Sequence, residues 1–162
     1  MQIDKQVMLT LWEMFNKLTW LNGYEIKMYL KDYKPSEIHC IEYIGNNSEP
    51  NVTKLAEAFY MTRGAISKLS KKLIDKGLIE SYQKSNNKKE IYFRLTRKGQ
   101  EIFDVHEELH KKFEERDMPV FEQVSKEEFE SILHFATTYN NHLENEIFKL
   151  GIDMKTAGLD KL

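Results

Sequence analysis

The chain has 162 residues, of which 41% are hydrophobic and 31% charged, and its formal net charge is −2. This length predicts one domain, or one domain with an appendage, and the small numbers of Gly (7) and Pro (3) exclude a collagen-like or low-complexity chain. No apolar run reaches 18 residues, which excludes a transmembrane helix, and the first residues lack the basic start and cleavage site of a signal peptide. With a single cysteine, which excludes an internal disulfide bond, we expect a cytoplasmic protein without a membrane partner.

The charge is distributed unevenly along the sequence. Residues 51–98 contain twelve basic and four acidic side chains, a net charge of +8, whereas the remaining residues carry −10. A compact basic segment is typical of a surface that binds an anionic partner such as double-stranded DNA. A solvated helical face is the alternative interpretation of such a run.

The first 31 residues are predicted to form a long amphipathic helix, because apolar side chains recur at every third or fourth position. These positions are Val7, Leu11, Met14, Leu18 and Leu21. Pro35 suits the first turn of a second helix over about Ser36–Ile44. That helix is predicted to bury Ile38, Ile41 and Ile44.

Two short helices and a hairpin follow. Asn51 or Thr53 is the expected N-cap of the first short helix, and Thr62 that of the second, which Gly77 ends. Residues 78–83 and 91–95 then alternate with period two and are rich in β-branched and aromatic side chains, so they are predicted strands. The polar residues 85–89 between them are predicted to form a basic hairpin tip.

Two more helices complete the chain. Thr96 is predicted to open a helix that continues to about Asp117 and is stopped by Met118-Pro119. Ser125 and Glu128 form a capping box before a last helix that extends to about Leu150. The apolar residues of the following tail are candidates to dock on the helices: Ile152, Met154 and Leu159.

Three short helices followed by a hairpin predict a winged helix-turn-helix. The fold class is therefore mainly α with a small β-hairpin wing (α+β), in which long helices flank the winged helix-turn-helix. On the second short helix, small residues allow close approach to a DNA groove and long cations reach phosphates or base edges. The candidate DNA-binding residues on this helix are Thr62, Arg63, Ser67, Lys68, Lys71 and Lys72, and those at the hairpin tip include Lys88 and Lys89. Arg63 is the expected base reader, because a guanidinium can pair with both acceptors of guanine.

Four stretches of the sequence resemble the MarR family of transcriptional regulators. They are Leu55-Ala56-Glu57, the run from Thr62 to Leu69, the run from Leu73 to Ile79, and Leu95-Thr96-Arg97-Lys98-Gly99. The resemblance implies a single MarR-like domain over residues 1–162, with a winged DNA-binding core at 34–99 and dimerisation helices at 1–31 and 100–150. It also implies an effector-responsive repressor that binds a pseudo-palindromic operator as a homodimer. An intramolecular helix bundle is the alternative to a dimer.

The wing departs from the family pattern. By the resemblance, an Asp-x-Arg pair is expected at the tip, and the corresponding positions hold Asn87 and Lys89. Asn87 is retained as a candidate DNA-binding residue, since its side chain can still form hydrogen bonds. Lys89 is a point charge without the bidentate fork of Arg, so phosphate contact is expected there and sequence reading is in doubt.

Four residues form a candidate zinc site. His106 and His110 are four residues apart on one predicted helix, which places both rings on one face, a spacing that suits two ligands of one zinc ion. The zinc-responsive members of the resembled family add a histidine from the second helix, here His39, and a glutamate from the first helix. The nearest carboxylate to the expected position is Glu25, about one turn further along. The alternative is a solvated or hydrogen-bonded histidine pair.

The sequence also permits other ligands and other classes of protein. An organic effector would occupy a cleft lined by aromatic residues that are otherwise core: Trp12, Phe15, Trp20, Tyr24 and Tyr43. Cys40 is expected to be a small buried residue, with an oxidation switch as the alternative. The stretch from His106 to His110 also fits the His-Glu-x-x-His pattern of a metal-dependent hydrolase, and a protein-binding winged helix is a further alternative. The expected function remains that of a regulator and not an enzyme.

Overall fold

The computed structural model describes residues 2–150 and consists of six helices and one antiparallel hairpin. The elements are α1 (Ile3–Tyr29), α2 (Pro35–Asn46), α3 (Val52–Phe59), α4 (Arg63–Asp75), β1 (Ile79–Lys84), β2 (Asn87–Leu95), α5 (Arg97–Phe121) and α6 (Lys126–Lys149). The predicted fold class, mainly helical with a two-stranded hairpin wing, is confirmed. The predicted docking of Ile152, Met154 and Leu159 lies outside the described residues.

The hydrophobic core lies within the winged unit, where α2, α3, α4 and the hairpin pack together with the start of α5. The inner residues predicted for α2, Ile38, Ile41 and Ile44, are buried, as are Leu55 of α3 and Leu73 of α4. Their helical spacing gives each short helix one apolar side, which it can bury only against the others. The periodicity of the sequence therefore identified the core of this unit correctly.

Side-chain caps begin α3, α4 and α6 at the predicted positions. Asn51 accepts a hydrogen bond from the backbone N–H of Lys54, and Thr62 accepts one from that of Ala65. Ser125 and Glu128 form the expected capping box. In the turn from α3 to α4, the non-glycine residue Tyr60 occupies the left-handed region (φ 50°), which is uncommon for such residues.

Two glycines have a backbone role at the junction of α4, the wing and α5. Gly77 follows α4 with φ 72°, a conformation that other residues rarely adopt. Gly99, in the first turn of α5, lies so close to the chain that a Cβ atom there would be 1.9 Å from the carbonyl oxygen of Leu78. This close approach fixes the base of the wing against α5.

The hairpin turn is shorter than predicted. Lys84 pairs with Asn87, so the turn consists of Ser85 and Asn86, and Asn87, Lys88 and Lys89 belong to β2. The prediction of a five-residue tip over 85–89 is wrong, because the side-chain oxygen of Asn87 accepts the backbone N–H groups of Lys89 (3.1 Å) and Glu90 (3.3 Å) and stabilises the start of the strand. The two lysines therefore project from a paired strand beside the turn.

Pro119 does not stop α5, which extends to Phe121, so the predicted end at Asp117 is wrong. Proline removes one backbone N–H donor, but here it lies in the last turn of the helix. The carbonyl group of Met118 still accepts the N–H of Glu122 (2.9 Å), and the side chain of Gln123 donates to the carbonyl of Pro119 (2.8 Å). These bonds preserve the turn around the proline.

The long helices α1 and α6 contain no buried residue within their bounds. Their apolar faces line a groove of about 890 Å³ whose lining is almost wholly apolar. The groove is formed by Val7, Met8, Leu11, Trp12 and Phe15 of α1 and by Phe135, Tyr139 and Leu143 of α6, among others. Within residues 2–150, none of the helices combines the length and the apolar character needed to cross a membrane.

Candidate DNA-binding surface and histidine cluster

The outer face of α4 carries most of the residues predicted to contact DNA. Ile66 and Leu73 are buried on the inner face, whereas Arg63, Ser67 and Lys68 are exposed on the outer one. Lys71 is also exposed. Because residues three and four apart share a face of a helix, these side chains form one surface that begins at the N-terminus of α4.

The side chain of Lys72 is partly exposed, but its ammonium group is paired with a carboxylate. Its ammonium group lies 3.0 Å from Oε1 of Glu37, a side chain of α2 that is fully buried. The structure therefore places Lys72 against α2 and not beside Arg63 and Lys68 on the outer surface. Thr62 also has a structural role, since it caps α4.

On the wing, Lys88 and Lys89 are exposed, whereas Asn87 is half-buried and uses its side chain within the strand. The other cations of the hairpin are occupied by neighbouring groups. Arg94 lies 2.6 Å from Glu80 and over the ring of Tyr82. Lys84 forms an ion pair with Glu49 and lies over the ring of Tyr92.

The twelve cations of residues 51–98 thus divide into two groups. Seven form ion pairs or donate to backbone carbonyl groups: Lys54, Lys72, Lys76, Lys84, Arg94, Arg97 and Lys98. Five have no such partner within the part of the chain that the structure describes: Arg63, Lys68, Lys71, Lys88 and Lys89. All five lie on the outer face of α4 or on the wing. The net charge of the segment does not reveal this division, because three of the four acidic partners, Glu37, Glu49 and Glu101, lie outside it, and only Glu80 lies within.

A second group of polar side chains lies where α2 packs against α5. The ligand atoms of Glu42, His106 and His110 all lie within 4.8 Å of one another. The Nε2 atoms of the two histidines are 3.2 Å apart, and the buried Nδ1 atom of His106 has no hydrogen-bond partner. Burial lowers the pKa of His106, and the nearby His110 and His39 lower it further, although Glu42 and Glu107 act in the opposite direction. The His106 imidazole is therefore biased toward its neutral form, the form that binds metal ions.

This cluster differs from the one predicted. Glu25 is not part of it, because its carboxylate points to α5 further along and lies 3.6 Å from Nη1 of Arg116. His39 is exposed on α2, outside the three-residue cluster, though close enough to influence the pKa of His106. Glu42 was missed by the sequence analysis. The available signal was its position three residues after His39, which places both on one side of α2.

The aromatic residues proposed to line one effector cleft are dispersed. Tyr43 packs edge-on against Phe59 at the core, with ring centroids 5.7 Å apart. Trp12 and Phe15 line the groove between α1 and α6, and Trp20 stacks on Tyr24. They do not form a common cleft in the described part of the chain.

Cys40 is completely buried, and burial raises the pKa of its thiol to about 12. The expectation of a small buried residue is met. A thiol that is neither accessible nor ionised is unsuited to an oxidation switch.

The comparisons with known proteins agree with this architecture. Residues 34–91 match the model of the MarR family. The chain is 40% identical over 111 residues to the HTH-type transcriptional regulator PchR of Bacillus subtilis (strain 168), a match that covers 68% of this chain and 66% of PchR. It is 39% identical over 93 residues to the uncharacterized HTH-type transcriptional regulator YhjH of the same organism, covering 57% of this chain and 53% of YhjH. The chain thus spans slightly less than two thirds of the first relative and about half of the second.

Solved structures with a similar fold include two streptococcal regulators. Streptococcus pneumoniae FabT, in complex with DNA, superposes with a TM-score of 0.74 at 22% identity, covering 87% of this chain and 97% of FabT. The adhesin competence repressor AdcR of Streptococcus pyogenes has a TM-score of 0.61 at 21% identity, covering 83% of this chain and 98% of AdcR. The sequence relatives are transcriptional regulators and not enzymes, so the hydrolase alternative has no support. With its family-model match, its similar regulators and its winged helix-turn-helix, the chain belongs to the MarR family.

Proposed function

We propose that the protein is a sequence-specific DNA-binding repressor that binds a pseudo-palindromic operator as a homodimer and responds to an effector. The observation that carries this proposal is the location of the five unpartnered cations, which share the outer face of α4 and the wing. An unpaired surface cation can exchange its counterion for a DNA phosphate, whereas a cation already paired with a carboxylate gains less. The family relationship to regulators and the DNA complex of FabT support the same function.

The two parts of this surface have different tasks. Arg63, at the N-terminus of α4, is placed to read a base edge in the major groove, because its fork can donate to both acceptors of guanine. The exposed Ser67 one turn later leaves room for the backbone to approach. Lys88 and Lys89 of the wing are assigned to phosphates, where a point charge contributes affinity without reading sequence.

A second copy of the chain is the proposed occupant of the groove between α1 and α6. Side chains such as Trp12 (55% exposed) and Phe135 (48% exposed) line this groove. An apolar surface this extensive is uncommon on a monomeric protein. Two copies related by a twofold axis would present two α4 helices to the DNA, which is why a pseudo-palindrome is the expected operator.

Selection of duplexes from a random-sequence pool tests this proposal. The full chain is expected to enrich an inverted repeat and to bind the selected duplex with two protomers per site, as measured by analytical ultracentrifugation of the complex. The affinity is expected to fall steeply between 50 and 200 mM salt. Enrichment of no sequence, or binding that is insensitive to salt, would contradict the proposal.

A metal ion is the effector that a specific observation favours. Two imidazole nitrogens bound to zinc at about 2.0–2.1 Å in a tetrahedral arrangement lie roughly 3.3 Å apart, and the Nε2 atoms of His106 and His110 are separated by 3.2 Å. Glu42 supplies an adjacent carboxylate, and His39 stands one turn before it on α2. These residues fit a divalent cation such as zinc, which would link α2 of the winged unit to α5.

Zinc titration against a chromophoric chelator tests the metal site. Affinity is expected to fall at least tenfold in His106→Ala, His110→Ala and Glu42→Gln. The exposed His134 on α6 provides a matched control, since His134→Ala should bind as the wild type does. Glu25→Gln distinguishes Glu25 from Glu42 as the carboxylate ligand, because this substitution should leave the zinc affinity unchanged. Equal affinity in wild type and in the three cluster variants would refute the site.

A further inference from the structure

Glu37, in the first turn of α2, is a completely buried carboxylate that faces the end of α4. Its oxygens accept the backbone N–H of Lys34 (3.0 Å), two contacts from Nζ of Lys76 (2.9 and 3.0 Å) and one from Nζ of Lys72 (3.0 Å). Lys72 lies in the last turn of α4, and Lys76 is its C-cap. One buried acid therefore holds two lysines from a helix that begins more than twenty residues after it.

The carboxylate is charged in this position. Burial alone raises the pKa of Glu37, but the hydrogen bonds from Lys34, Lys76 and Lys72 outweigh this effect and hold the pKa below its ordinary value. The ammonium group of Lys76 also lies 5.4 Å from the centre of the Tyr33 ring, just before α2. The C-terminal end of α4 is thus fixed to the start of α2 by charge-assisted hydrogen bonds, which are directional and about twice as strong as neutral ones.

The orientation of α4 matters because its other end reads the DNA. Apolar contacts such as those of Ile66 and Leu73 are not directional, so they leave the tilt of the helix less strictly defined than hydrogen bonds do. Arg63 is thirteen residues from Lys76, which corresponds to about 20 Å along the helix axis. A tilt of about 10° at the Glu37 contact would displace Arg63 by about 3.5 Å, more than the length of a hydrogen bond.

We infer that Glu37 is a positioning residue for DNA recognition, which sets the orientation of α4 and withholds Lys72 and Lys76 from DNA phosphates. The inference rests on the proposed DNA-binding function. It explains why two of the cations in the basic segment are neutralised by an acid from outside that segment. Without the carboxylate, the recognition helix would be both less firmly oriented and more positively charged, so it would bind DNA with less discrimination.

Glu37→Gln tests this role in the full-length protein. The dissociation constant is measured by fluorescence anisotropy on the duplex that the wild type selects and on an unrelated duplex of equal length, each over a range of salt concentrations. The dissociation constant for the unrelated duplex divided by that for the selected duplex is the discrimination ratio, and we expect it to fall at least tenfold. The salt dependence of binding is expected to become steeper as Lys72 and Lys76 are freed. A purely structural role would not change the ratio, because an unfolded fraction lowers the apparent affinity for both duplexes equally.

Glu101→Gln is the matched control, since it changes the net charge equally but removes only an exposed pairing with Arg97 at 3.7 Å. An unchanged ratio in folded Glu37→Gln, or an equal loss in Glu101→Gln, would overturn the inference. If Glu37→Gln does not fold, Lys76→Gln removes the doubly bonded lysine and must lower the ratio as well, and an unchanged ratio there overturns the inference too. Failure of the wild type to select any duplex would instead refute the DNA-binding proposal.

Discussion

Lys71 and Lys72 are neighbours on α4, yet they are expected to contribute very differently to DNA binding. Lys71 is exposed without an ion partner among the described residues, whereas Lys72 is bound to the buried Glu37 at 3.0 Å. We predict that Lys71→Gln weakens binding and lowers its salt dependence, and that Lys72→Gln leaves the salt dependence unchanged. The two substitutions alter the net charge equally and lie one residue apart, so each is the control of the other.

The magnitude follows from counterion release. Each phosphate neutralised on duplex DNA contributes about 0.9 to the slope of log affinity against log salt. Five free cations in each protomer give ten in a dimer, so the slope of the wild type should not exceed about 9 in magnitude. Lys71→Gln removes two contacts per dimer and lowers the slope by about 1.8, which corresponds to roughly a twelvefold smaller loss of affinity between 50 and 200 mM salt.

Fluorescence anisotropy at five or more salt concentrations resolves a change of this size. The double variant Lys88→Gln/Lys89→Gln extends the series, since it removes four contacts per dimer and should lower the slope by about 3.6. The reasoning would be refuted if Lys72→Gln lowered the slope as much as Lys71→Gln does. That result would mean that the pairing with Glu37 does not persist in the complex.

Four further predictions concern other parts of the molecule. Arg63→Ala should lose about 1–3 kcal/mol of affinity for the selected duplex and much less for an unrelated duplex, and equal losses in the two anisotropy titrations would exclude a base contact. Leu11→Glu, in the groove between α1 and α6, should shift sedimentation toward the monomer, whereas Thr10→Glu, outside the groove lining, should not. Cys40, buried with its pKa raised to about 12, should react with a thiol reagent at pH 8 only as fast as the chain unfolds, and immediate labelling of native protein would show that the site is open. In chelator-treated protein the lowered pKa of His106 favours the neutral imidazole in the native state, so the free energy of unfolding should fall as the pH drops below the ordinary value of 6.5. His106→Gln should lose that part of the pH dependence in urea titrations.

The sequence alone was sufficient for features that depend on neighbouring residues. The apolar spacing of Ile38, Ile41 and Ile44 placed the core face of α2, and Asn51 and Thr62 marked the starts of α3 and α4. Such signals are local, because helical periodicity and capping involve residues no more than four positions apart. They determine which elements form and which faces are buried.

Features that depend on packing between distant elements were not predictable in the same way. Glu42 joins His106 and His110 only because α2 lies against α5, and the first-helix carboxylate Glu25 is drawn instead to Arg116. The spacing of histidines along one helix identified the pair, but it contained no information about which acid would approach. The length of the wing turn depended on a side-chain hydrogen bond of Asn87, which composition does not reveal.

The distribution of charge shows how the two kinds of information combine. A net charge of +8 over residues 51–98 indicates an anionic partner, but it overstates the number of cations that can meet one, since seven of the twelve are occupied within the fold. The cations that remain free lie on the outer face of α4 and on the wing, whereas Lys72 and Lys76 at the end of α4 are paired with Glu37. On the proposed function, this surface attracts DNA mainly where Arg63 can reach a base. By the role inferred for Glu37, an acid that neutralises cations contributes to specificity, whereas the exposed lysines contribute to affinity.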